Sequence, residues 1–168
     1  FDETMAKEAL AFLETKYAEQ FIQIKKVDKE KLVGLSDLHV HWLVARSYFN
    51  SKPTEVSTYY GKCLAKDWKN YNLHTQALAG MSAVRTGDKA FASTIKNSIL
   101  DRATKRSEMG MYWNENKTGY YWNQSQVETQ SAIIEFFTAF GGLDKEVQQM
   151  QLWLLQQKRS NAWETTKA

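Results

Sequence analysis

Apolar residues recur along this chain at helical spacing, in two alternating kinds of segment. A first helix is predicted over Glu3 to Tyr17, capped by Asp2, with Leu10, Leu13 and Tyr17 on one face and Lys7, Glu14 and Lys16 on another. Gln23 to Leu35 is mixed and charged and reads as a loop with one turn. Ser36 then caps a second helix to Phe49, apolar nearly all round through Leu38, Val40, Trp42, Leu43, Val44 and Ala45. The third helix starts at Pro53-Thr54, runs to Trp68 and carries one stripe: Val56, Tyr59, Tyr60, Cys63 and Leu64. The fourth, Leu73 to Thr86, is again apolar over most of its surface and stops at Gly87. Asp88 caps a fifth, to Arg106, whose Phe91, Ala92, Ile95 and Ile99 form one face. A sixth, Gln126 to Phe140, is apolar on most sides; a seventh, Asp144 to Lys158, has one apolar side containing Val147, Met150, Trp153 and Leu154.

The alternation predicts two layers. The second, fourth and sixth helices pack on both sides, and the third, fifth and seventh keep one face in water. The inner helices also begin alike, with Leu38-His39-Val40-His41-Trp42, Leu73-His74-Thr75-Gln76-Ala77 and Val127-Glu128-Thr129-Gln130-Ser131. Repetition of a helix pair is the mark of a solenoid or a ring of hairpins. The pattern breaks between Gly110 and Asn123, where Met111-Tyr112-Trp113 and Tyr120-Tyr121-Trp122 flank a polar, glycine-ended turn. Here a short aromatic β-hairpin or ordered loop is predicted. The fold class expected is therefore all-α, with helical hairpins in two layers. Residues 1–168 are expected to form a single domain. Thr165 and Thr166 are helix-start signals with no helix after them, so this domain is expected to be a segment of a larger one.

Composition narrows the function classes. With 43% hydrophobic residues the chain can bury a core, and no apolar run approaches the roughly 20 residues of a membrane span. The 22 basic and 19 acidic residues are interspersed, which gives no reason to expect a nucleic-acid partner. The lone Cys63 excludes an internal disulfide and a cysteine-based zinc site. In the third helix's stripe it reads as a buried structural thiol. His39 and His41, two apart on a helix, face nearly opposite ways and do not suit one metal; Asp37 and His41 are spaced for a local pair. No metal and no cofactor is expected. Tyr112, Trp113, Tyr120, Tyr121 and Trp122, with Glu115 and Glu128 nearby, are the candidate binding surface, a platform for a sugar ring or a partner protein. Carboxylates beside aromatic rings are the general plan of a glycosidase. The plainer reading is that these rings plug the gap between helix pairs, that Glu128-Thr129-Gln130 caps its helix and ties it to neighbours, and that Trp153 and Trp163 anchor packing. Asn116-Lys117-Thr118 and Asn123-Gln124-Ser125 match the glycosylation pattern.

The run Gly110-Met111-Tyr112-Trp113, Tyr121-Trp122 and Val127 to Phe137 resembles the C-terminal helical region of bacterial alpha-2-macroglobulin-like proteins. Leu152-Trp153-Leu154-Leu155-Gln156-Gln157-Lys158, Trp163 to Ala168, Ala45-Arg46-Ser47-Tyr48-Phe49 and Arg85-Thr86-Gly87-Asp88 fit the same pattern, closest to the large members of Bacteroidetes. The resemblance implies a partial α/α toroid, part of the thioester-type domain, in a protein exported to the periplasm or cell envelope. It implies a role in protease entrapment through the parent protein, with neighbouring domains of the parent chain and target proteases as partners. The family's thioester needs Cys-x-Glu-Gln. Cys63 is followed by Leu64-Ala65-Lys66, and Tyr17-Ala18-Glu19-Gln20 has Tyr where Cys is required, so neither thioester nor catalytic residues are carried over. The expectation is a non-enzymatic segment. The alternative is an α/α-toroid carbohydrate-binding or carbohydrate-cleaving module using the hairpin aromatics. An isolated arc would expose the flanks of its inner helices, so a homodimer of this segment is expected in solution.

Overall fold

The structure, a computed structural model, describes residues 2–28, 31–49, 51–117 and 125–157. Among them the fold is all-α with one short hairpin. The helices are α1 (Glu3–Val27), α2 (Asp37–Tyr48), α3 (Glu55–Asp67), α4 (Leu73–Thr86), α5 (Lys89–Asp101), α6 (Gln126–Phe140) and α7 (Asp144–Gln156). Strands β1 (Thr104–Arg106) and β2 (Gly110–Tyr112) pair antiparallel between α5 and α6, with Lys105 opposite Met111. The chain gathers into two compact units, Phe1–Trp68 and Lys69–Ala168.

Helix starts follow local chemistry. Asp2, Asn72, Asp88 and Ser125 each accept a backbone N–H of the first turn of α1, α4, α5 and α6. At α3, Thr54 Oγ1 accepts from Ser57 N at 3.1 Å and Ser57 Oγ accepts from Thr54 N at 2.9 Å, a reciprocal capping box. Gly87, at φ +82°, ends α4 in the left-handed conformation that glycine adopts without steric cost.

Three boundaries differ from the sequence expectation. The first helix continues ten residues past Tyr17, to Val27, where a loop is expected from Gln23. Nothing in that stretch breaks a helix, and Phe21, one turn beyond Tyr17, buries its ring against Tyr59 at 5.1 Å. Lys25 lies over the Tyr59 ring at 4.7 Å, and with Lys26 it places positive charge at the helix C-terminus. The fifth helix stops at Asp101, not Arg106. The Ile99 carbonyl accepts the Trp113 indole N–H at 2.8 Å, and the chain turns into β1. The hairpin therefore pairs β2 with the residues before it. Tyr120, Tyr121 and Trp122, the expected second aromatic arm, lie outside the described residues.

The expected alternation appears in burial. In α4 every residue from Leu73 to Ala83 is buried, and in α6 so are Val127, Thr129 to Ile133, Phe136 and Phe137. In α2 the buried residues are Val40, Trp42, Leu43, Val44, Arg46 and Ser47, while Leu38 stays exposed. By contrast α3 buries Tyr59, Tyr60, Cys63 and Leu64, α5 Ala92, Ile95 and Ile99, and α7 Met150 and Trp153. In residues 69–168, α4 packs on α5 and α6, and α6 on α7. At Gly80 the α4–α6 approach leaves no room for a side chain: a Cβ there would run into the Phe136 ring.

Candidate functional site

The candidate surface is built where α5, the hairpin, α6 and α7 meet. Trp113 is 2% exposed, and its indole N–H is committed to Ile99. It presents no face to a ligand. Tyr112 is half-buried and stacks on Trp153 of α7, with centroids 6.3 Å apart. Trp153 is buried, as a packing anchor should be. Glu128 is half-buried in the first turn of α6, where its backbone N–H donates to Ser125 Oγ and its charge suits the helix N-terminus. Tyr120, Tyr121, Trp122 and Trp163 lie outside the described residues.

The segment after β2 is pinned at both ends. Asn114 Nδ2 donates to Thr104 Oγ1 at 2.9 Å. Asn116 Nδ2 donates to the Gln126 carbonyl at 3.0 Å, and Gln126 Nε2 returns a bond to the Asn116 carbonyl at 2.6 Å. The Asn116 amide is thereby buried and engaged, out of reach of a modifying enzyme. Glu115 pairs with Arg102 Nη1 at 2.6 Å, so the carboxylate suggested for acid–base chemistry is held by a guanidinium.

The Thr-Gln pairs of the inner-helix starts carry the most specific geometry. Gln130 is fully buried, and its Nε2 donates to the Met111 carbonyl at 2.9 Å and the Met150 carbonyl at 3.2 Å. One side chain on α6 thus fastens β2 and α7 together. Gln76, at the equivalent place in α4, donates from Nε2 to the Tyr71 carbonyl at 2.7 Å and accepts at Oε1 from Arg102 Nη2 at 2.6 Å. Thr75 and Thr129 beside them are buried as well. Buried amides belong in such positions because an unpaired buried backbone carbonyl is costly. Arg102, which joins Gln76, Glu115 and the Ser98 carbonyl, is a hub that sequence reasoning missed. Nothing about a lone arginine at a helix end distinguishes it, whereas the repeated Thr-Gln pair does mark the glutamines.

The hairpin is held to α7 by further ties. Gly110, at φ +78°, lies so close to α7 that a Cβ would meet the Gln149 carbonyl. Gln156 Nε2 donates to the Glu108 carbonyl at 2.5 Å, and Lys105 approaches Glu146 at 3.6 Å.

In residues 1–68, Cys63 is fully buried among rings. Burial pushes the Tyr59 and Tyr60 hydroxyls up to about 12. They stay protonated at physiological pH and donate to the Lys31 carbonyl at 2.9 Å and the Tyr17 carbonyl at 3.4 Å. Arg46, almost wholly buried, pairs with Glu14, donates to the Lys52 carbonyl at 2.6 Å and lies over the Trp42 ring. Among the described residues no three His, Cys, Asp or Glu side chains converge as metal ligands would. No described helix is long and apolar enough to cross a membrane. Compared with known proteins, the chain matches no protein-family model, no curated protein and no solved structure.

Proposed function

We propose that this chain is a non-catalytic helical segment of an alpha-2-macroglobulin-like protein of the periplasm or cell envelope, and that it serves protease entrapment as a wall of a partial α/α toroid. The observation that carries this reading is the burial of part of the run on which the resemblance rests. Met111, Trp113, Val127, Thr129, Gln130, Ile133, Phe136, Phe137 and Trp153 are all buried and committed to packing or backbone ties. Residues used in this way build a rigid element against which neighbouring domains of the parent chain can move.

The test is made on the full-length parent, incubated with endoproteases of differing specificity. A single early cleavage should shift its mobility on a native gel. The retained protease should keep its activity on small peptides and lose it on large proteins. Stepwise degradation of the parent, with the protease fully active on both substrates, overturns the proposal. Saturable binding of soluble glycans by this chain, lost in Tyr112→Ala, would instead favour the carbohydrate-binding module.

A further inference from the structure

A capping box usually relies on Glu or Gln, three residues after the N-cap, to accept the N-cap backbone N–H. At the start of α2 a histidine takes that place. Ser36 N–H donates to His39 Nδ1 at 3.2 Å, with Ser36 Oγ 2.8 Å from the same nitrogen. His39 Nε2 lies 3.2 Å from Gln20 Oε1 on α1. These partners fix the tautomer: Nδ1 accepts, so Nε2 carries the hydrogen and donates to Gln20. The ring also packs, tilted, between helices, with its centroid 4.5 Å from that of Tyr17 of α1 and 5.1 Å from that of Tyr60 of α3. One neutral imidazole therefore caps α2 and latches it to its two neighbours.

A second proton would have to go on Nδ1. It would turn the acceptor into a donor facing the Ser36 N–H, and it would place a positive charge at a helix N-terminus, where the dipole opposes it. Ser36 Oγ could accept the new Nδ1–H and Gln20 Oε1 would still accept from Nε2, so what is lost is the acceptor of the Ser36 backbone N–H. Toward the ring, α1 presents Tyr17 and Gln20, while its carboxylates Glu14 and Glu19 are engaged with Arg46 and Lys16. From α3 comes Tyr60. On α2 itself Asp37 stands in the same first turn and works the other way, and His41 and Trp42 follow. We propose that His39 is an acid-sensitive latch, whose protonation takes away the acceptor of the Ser36 N–H and loosens the first turn of α2.

Partial burial of the ring, which holds His39 below the usual histidine value of 6.5, acts in the same direction. Because the folded form resists the proton and the opened form accepts it, stability is full above pH 6.5. It falls as the pH drops from there toward the folded-state value, then levels off.

The test uses the whole chain. An NMR titration of the His39 ring is expected to give a midpoint below 6.5. Amide hydrogen-exchange protection at His39 and Val40, corrected for intrinsic rates, should fall by up to about tenfold per pH unit below 6.5. In His39→Gln, which keeps a cap-accepting side chain without a titrating ring, that dependence should vanish. A wild-type midpoint at or above 6.5 overturns the latch whether or not the variant folds. So does an equal loss of protection in His39→Gln.

Discussion

In residues 1–68 aromatic rings fill much of the interior. Tyr17, Phe21, Trp42, Tyr59 and Tyr60 meet at centroid distances of 4.8 to 5.8 Å, and Arg46 and His39 sit among them with their polar atoms engaged. In residues 69–168 the most buried helix, α4, holds no Phe, Tyr or Trp between Leu73 and Ala83. Its Gly80 lets α6 approach until the Phe136 ring lies on the backbone. Large amphipathic rings fill space between helices that stand apart, at the cost of hydroxyls and ring nitrogens that need partners. Small residues remove that need but require a close fit, in which one methyl group is felt.

Substitutions should break this contrast in a graded way. Phe136→Ala removes the ring that fills the α4–α6 contact, and a loss of about 3–5 kcal/mol is expected from denaturant unfolding. Gly80→Ala adds a methyl where that ring already is, and should destabilise by about 1–3 kcal/mol despite the better helix propensity of alanine. Gln130→Leu keeps the volume but strips its bonds from the Met111 and Met150 carbonyls, for a loss of about 1–2 kcal/mol. Gly61→Ala in α3 meets open space, so the same exchange there should stabilise by about 0.5–1 kcal/mol. A common sign for the two glycine variants in thermal unfolding would dissolve the distinction.

Much of this fold was legible because its determinants are local. Asp2, Thr54 and Asp88 mark helix starts by side-chain chemistry, Gly87 marks a stop, and the shift between stripe and all-round apolarity tracks which helices are buried on most sides. What escaped was decided by tertiary partners. The extension of α1 depends on Phe21 and Lys25 meeting Tyr59, which lies far along the chain. β1 is a polar Thr-Lys-Arg triplet with no strand pattern; it forms because Trp113 takes the Ile99 carbonyl and Gly110 seats β2 against α7. Trp113 was legible as an aromatic in a special segment, and its burial agrees with the plainer reading, in which these rings plug a gap between helices. Gln130 was legible as a tie, because the Thr-Gln pair recurs at Gln76.

From Leu73 to Ala83 α4 is enclosed on every side, while α5 shows water one face. An aspartate scan across both helices, read by the unfolding midpoint of each variant, tests it most directly. A marked loss is expected at every position from Leu73 to Ala83. In α5 the loss should be confined to the face of Ala92, Ile95 and Ile99, with Lys89, Thr94 and Asn97 tolerant. A tolerant position recurring every three or four residues along α4 would contradict it.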